Sequence, residues 1–129
     1  MNVPTKETYS ELYSILNMMG EDYIKKLNFM FDNKYIDYYP NENKKSGAFQ
    51  WNRYVFLNHL DSRDSLTTMA HELGHALNTL YTEENQPLQY QNNPIFLAEI
   101  ASTVNEILLN DYLYKISLTS LANRVMLSL

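Results

Sequence analysis

The residues of this chain best suited to chemistry lie in Met69-Ala70-His71-Glu72-Leu73-Gly74-His75-Ala76, the pattern H-E-x-x-H. On a helix, positions four apart project from one face, so the His71 and His75 imidazoles can reach a single metal ion. Glu72 stands about 100° further round, beside such an ion rather than on it. A carboxylate there is placed to take a proton from a water that the metal activates. Residue types and spacing thus point to a zinc metallopeptidase site, with His71 and His75 as ligands and Glu72 as catalytic base. The chain has no cysteine, so any metal must be held by imidazoles and carboxylates.

A catalytic zinc takes three protein ligands and keeps one position open. Glu83, Glu84, Glu99, Glu106 and Asp111 are the downstream candidates for the third. Glu83 and Glu84 sit just past the motif helix, where the backbone would have to fold back sharply. Glu99 shares a narrow polar stripe with Thr103, Glu106 and Asn110 on a helix that is otherwise mostly apolar. A surface helix has a wider polar face. Turned towards water, the stripe is a thin solvent strip on a mostly buried helix. Turned towards the metal, it makes Glu99 the third ligand, and Glu106, two turns on, can accept a hydrogen bond from a ligand histidine. His59, at the end of a predicted strand, is a further imidazole, but Glu99 completes the ligand set better.

These side chains need elements to position them. Pro4 suits a first helical position, and Tyr9, Leu12, Tyr13, Leu16 and Met19 recur at helical spacing. Gly20 interrupts, and Tyr23, Ile24, Leu27, Met30 and Phe31 continue as a second helix or a broken continuation of the first. Asp37 to Gly47 reads as a loop, with Lys44 and Lys45 as solvated charges. Ala48 to His59 is the strand candidate, strongest at Tyr54-Val55-Phe56-Leu57. The segment Tyr54 to Asn58, if exposed at an edge, would hold an extended peptide across the metal.

Asp64 or Ser65 is placed to cap the motif helix, predicted from about Leu66 to Tyr81. Leu66, Met69, Leu73, Leu77 and Leu80 should face inward, opposite Thr68, His71, His75 and Asn78. Gly74 is a poor helix former, and its place between the ligands suggests close approach of a neighbouring backbone. Glu83 to Pro94 reads as a loop of about a dozen residues. A helix from Ile95 to about Tyr114 follows, then a last turn or short helix from Ser117 to Leu129.

At 129 residues, one domain with an ordinary core is expected, and apolar content of 45% suits it. The net charge of −5 offers no footprint for nucleic acid or an anionic membrane. No apolar run approaches the roughly 20 residues of a membrane span. The N-terminus lacks a signal-peptide pattern, so a soluble, cytoplasmic protein is the expectation.

The segments Ser46-Gly47-Ala48, Leu57-Asn58, Met69 to Ala76, Asn85-Gln86-Pro87 and Ile95 to Glu106 together resemble oligoendopeptidase F, the bacterial branch of the thimet oligopeptidase family. The likeness runs from about Glu21 to Tyr114. It implies a mostly helical catalytic domain, one Zn2+ per chain, and endopeptidase action on short peptides in the cytosol. Matched residue by residue, it makes His71, His75 and Glu99 the zinc ligands and Glu72 the base. Members of the family are several times longer, and a downstream segment supplies a His and Tyr residues that bind substrate and stabilise the oxyanion. This chain stops at Leu129, before any match to that segment.

The expectation is therefore a partial metallopeptidase catalytic domain over residues 1–129. Its fold should be mostly α, a helical zincin-type core with one short β-strand or hairpin before the metal helix. Its partners should be short peptides, not nucleic acid or membrane. The alternative is a zinc-binding but inactive fragment, with uncovered apolar helix faces that promote self-association.

Overall fold

The computed structural model describes residues 6–60, 62–92 and 94–128, with side chains from residue 10 onward. The expectation that Pro4 opens the first helix lies outside the described residues, as does the part of Tyr9's side chain in that helix's apolar stripe.

Helix α1 (Lys6–Leu16) turns Leu12, Ile15 and Leu16 into the core and passes into a 3₁₀ turn at Asn17–Met19. Gly20 ends that turn at φ +96°, a conformation open to glycine and strained for other residues. The chain restarts as α2 (Glu21–Asp32), which buries Tyr23, Leu27 and Met30. The break expected at Gly20 is thus real.

Three short strands follow: β1 (Ile36–Asp37), β2 (Phe49–Trp51) and β3 (Tyr54–Phe56). Strands β2 and β3 form the hairpin expected ahead of the metal helix, with Phe49 opposite Phe56 and Trp51 opposite Tyr54. Strand β1, of which Asp37 reads from sequence as the start of a loop, adds in parallel, Ile36 beside Val55 and Asp37 beside Phe56. Two residues are too few for a periodic signal, and the pairing is long-range, so nothing local announces it. The order β1-β3-β2 places β3 in the middle. This corrects the expectation that Tyr54 to Asn58 offers a peptide-binding edge: β3 is paired on both sides, and β2 holds a free edge.

The loop between β1 and β2 is tied down rather than loose. Lys44 Nζ donates to the Tyr39 carbonyl at 2.9 Å and the Asp37 carbonyl at 3.2 Å, and pairs with Asp37 Oδ1 at 3.2 Å. Lys44 is therefore a loop anchor, not the solvated charge its sequence context suggests. Asn58 Nδ2 donates to the Gly47 carbonyl at 2.6 Å and the Lys45 carbonyl at 3.1 Å, fixing the approach to β2.

Helix α3 (Arg63–Asn85) is capped by Ser62, whose hydroxyl accepts from Ser65 N–H at 3.1 Å, one turn earlier than the cap read from sequence. Its face of Leu66, Met69, Leu73, Leu77 and Leu80 is buried against α1, α2 and the sheet, as the spacing predicts. The helix runs one turn past Tyr81, shortening the expected loop, which also contains a 3₁₀ turn at Leu88–Tyr90.

Helix α4 (Ile95–Ser128) is one uninterrupted element of 34 residues, not two. Between Tyr114 and Ser117 there is no Gly or Pro to stop it, and Ser117 and Thr119 turn their hydroxyls back onto the Leu113 and Lys115 carbonyls. Its buried residues are Ser102, Asn105 and Leu109, while Phe96, Ile100 and Ile107 are exposed. The helix therefore packs on α3 through small and polar side chains. Gly74 explains this: a Cβ built there would stand 2.6 Å from Ser102 Cα and 2.9 Å from the Ala101 carbonyl oxygen. Only a glycine lets the two backbones approach so closely, as its place in the motif suggests.

Buried polar atoms at this crossing are satisfied. Asn105 Nδ2 donates to the Ala70 carbonyl at 2.9 Å, and Tyr23 OH donates to Asn105 Oδ1 at 2.7 Å. One chain of hydrogen bonds thus joins α2, α4 and α3. Burial pushes the Tyr23 phenol up to about 12, so it remains a neutral donor.

Candidate metal centre

Helix α3 presents His71 and His75 on one side, and α4 crosses it so that Glu99 comes up against both rings. The His71 and His75 Nε2 atoms are 3.1 Å apart. Glu99 Oε2 lies 3.5 Å from His71 Nε2, and Glu99 Oε1 lies 3.4 Å from His75 Nε2. These three residues alone, among the described ones, form a group of histidine and carboxylate side chains able to hold a metal ion. Ligand distances of about 2.0–2.2 Å in tetrahedral array put neighbouring donors roughly 3.3–3.5 Å apart. The observed separations fit such an ion, and two imidazoles with one carboxylate leave a fourth position open.

Glu106, two turns beyond Glu99, meets the other nitrogen of the same ring: its Oε1 is in hydrogen-bond contact with His71 Nδ1. With Nδ1–H donating to the carboxylate, Nε2 is left as the free lone pair that a metal needs. The polar stripe of α4 thus faces the two histidines at Glu99 and Glu106, while Thr103 and Asn110 are exposed.

The sequence gives no hint of Ser102. Its hydroxyl is fully buried, 3.0 Å from the Glu99 carbonyl and 3.1 Å from Glu99 Oε2. It can donate to one of these at a time, and the second choice orients the carboxylate.

The other carboxylates are engaged elsewhere. Glu83 pairs with Arg53, Glu84 with Lys26 at 2.7 Å, and Asp111 with Lys115 at 2.7 Å. His59 is buried outside the metal group, its ring against Tyr39 and its backbone N–H donating to the Tyr38 carbonyl at 2.7 Å.

Glu72 is partly buried, on the side of α3 that carries Thr68 and Thr79. Burial raises its pKa, the two histidines pull it down, and the Glu99 carboxylate adds a smaller upward push. Strand β2 runs along this side: Gln50 Nε2 donates to Thr79 Oγ1 at 3.1 Å. Gly47 and Ala48, with Thr68 and Ser65, line a cleft of about 370 Å³ that also reaches Asn58 and His59. The β2 segment therefore brackets the turn of α3 that holds Glu72.

Comparison with known proteins decides the family. The model of peptidase family M3 matches residues 2–123. The chain belongs to peptidase family M3. It is 40% identical over 123 residues to the chromosomal oligoendopeptidase F of Lactococcus lactis subsp. cremoris, covering 88% of this chain and 20% of that protein. With oligopeptidase PepF of Bacillus subtilis it shares 37% identity over 118 residues, again 88% of this chain and 18% of the relative. A crystal structure of a protein from Chlamydophila abortus assigned as a peptidase superposes with a TM-score of 0.79 at 35% identity, over 89% of this chain and 20% of that one. The chain thus spans about a fifth of the length of these M3 relatives. Among its described residues, no helix is long and apolar enough to cross a membrane.

Proposed function

We propose that this M3 chain binds one zinc ion through His71, His75 and Glu99 and hydrolyses short peptides with Glu72 as general base. The observation that carries the reading is the convergence of those three donor groups, all within 4.8 Å of one another, from two helices whose contact is held by Gly74. When bound, zinc supplies Lewis acidity, bringing the pKa of a water towards about 7 and polarising the scissile carbonyl.

The chain's own residues do the rest. Glu106 accepts the Nδ1 proton of His71, which fixes that ring's tautomer and direction. Ser102, when its hydroxyl turns from the Glu99 carbonyl to Oε2, holds one oxygen of that carboxylate. Glu72, its pKa raised by burial, takes a proton from the attacking water on its carboxylate. It returns that proton to the amine nitrogen as the C–N bond breaks. The free edge of β2 offers main-chain groups to an extended peptide lying along α3, in place of the β3 edge. Oligopeptides are the substrate class because the relatives carry that activity in their names. The cytosol is the compartment that the same kinship suggests.

A paired measurement tests this: zinc content of the purified chain, and turnover of an internally quenched peptide by wild type and Glu72→Gln. Both proteins should carry about one zinc, while the variant's rate falls by about 10²–10⁴. Equal turnover by the two proteins would remove Glu72 from the mechanism, and protein without zinc would remove the site.

A further inference from the structure

The crossing of α3 and α4 is fixed at two points that differ in kind. At the first, the Gly74 backbone lies close against Ser102 and the Ala101 carbonyl. A steric contact of that sort sets how near the helices lie, but not how α4 is rolled about its own axis. Apolar burial does not set the roll either, because Leu109 is the one apolar side chain among the buried residues of α4. The second point is directional. Asn105 is fully buried, donates from Nδ2 to the Ala70 carbonyl at 2.9 Å and accepts at Oδ1 from the Tyr23 hydroxyl at 2.7 Å. Turned over, the amide would set its oxygen against the Ala70 carbonyl oxygen, so only one orientation satisfies it.

This bond lies beside the metal groups on both helices: Ala70 precedes His71, and Asn105 precedes Glu106. Round α4, Ser102 stands between Asn105 on one flank, about 60° away, and Glu99 and Glu106 on the other, about 40–60° away. A roll of about 20° would carry a carboxylate at the rim of the helix by roughly 2 Å, about the length of a zinc–oxygen bond. We propose that Asn105 is a positioning residue for the metal centre. Its bond to Ala70 selects the roll of α4 that sets Glu99 and Glu106 against opposite nitrogens of His71. The effect on zinc rests on the metal reading above, whereas the hold on Glu106 does not. Tyr23, Ala70 and Asn105 are all buried by this chain's own helices, so the arrangement is independent of what the longer relatives add.

A buried amide is a costly way to join helices, since apolar side chains of like shape join them as well or better; what it supplies is one arrangement. Stability and placement should therefore separate. Asn105→Leu combined with Tyr23→Phe removes the polar pair, keeps a branched side chain of the same number of atoms, and leaves the Ala70 carbonyl its bond within α3. Metal-free, this double variant should unfold in urea at or above the wild-type midpoint, yet bind zinc about 10–100-fold more weakly. Tyr23→Phe alone strands the Asn105 oxygen but spares the bond to Ala70, so its urea midpoint should fall while zinc affinity stays at the wild-type value.

A third readout needs no metal. The ring-nitrogen chemical shifts of His71 should report a proton on Nδ1 in wild type and in Tyr23→Phe, and its loss from that nitrogen in the double variant. Wild-type zinc affinity and tautomer in the double variant would overturn the positioning role. So would zinc affinity that merely follows stability through both variants, which is how an ordinary core residue behaves. A wild type that binds no zinc would reject the metal reading instead, and the His71 tautomer would then decide the role of Asn105.

Discussion

Glu99 and Glu106 are seven residues apart on one helix, yet they meet opposite nitrogens of the same imidazole. Glu99 approaches His71 Nε2, the atom that also faces His75, whereas Glu106 takes Nδ1. Their removal should therefore differ in kind. Glu99→Ala deletes a donor and should abolish stoichiometric zinc binding. Glu106→Ala leaves all three donors but frees the His71 ring, and should weaken zinc by about 10–100-fold. Glu106→Gln keeps an acceptor for Nδ1–H and should fall between Glu106→Ala and wild type. Competition titration with a zinc-sensitive chelating dye gives all three affinities. If Glu106→Ala lost zinc while Glu99→Ala kept it, the two carboxylates would have exchanged roles.

At the scale of elements, the decisive contact is where α3 crosses α4. Gly74→Ala would force a methyl group to within 2.6 Å of Ser102 Cα, against backbone that has no rotamer to yield. The helices must separate, at a cost of about 1–3 kcal/mol for an overpacked core site. Because Glu99 rides on α4, zinc affinity should fall along with stability. Urea unfolding of the metal-free protein and a zinc titration read the two effects separately; a destabilised variant with wild-type zinc affinity would show that α4 adjusts without moving Glu99.

How much of this was legible beforehand follows the range of each interaction. The spacing of His71 and His75, the stripe from Glu99 to Glu106, the inward face of α3 and the break at Gly20 are local patterns, and each survives in the structure. Strand β1 and the middle position of β3 depend on pairing between distant segments, which no window of sequence displays, while Lys44 is anchored by the way its own loop curls back onto Asp37 and Tyr39. Helix α4 was the hardest to orient. With apolar residues round most of its circumference, hydrophobicity does not pick a face, and the contact with Gly74 selects Ser102 and Asn105 instead.

For the whole molecule, the proposed metal centre would couple the two longest helices, one supplying both histidines and the other the carboxylate. Helix α4 rests on the body through few buried residues, so a ligand that bridges it to α3 should stabilise the entire chain. An ion that binds the folded state alone contributes about 2.7 kcal/mol at a hundredfold excess over its Kd. For a domain of this size that corresponds to a rise in Tm of roughly 10 °C. Calorimetry of metal-free protein, with zinc added and then withdrawn by a chelator, should show the midpoint rise and return. His71→Ala should show no such rise, because two remaining donors on separate helices no longer close the site. An equal rise in that variant would mean that zinc stabilises the chain from somewhere other than His71, His75 and Glu99. An unmoved midpoint in wild type would mean that the crossing of α3 and α4 is held by Gly74, Ser102 and Asn105 alone.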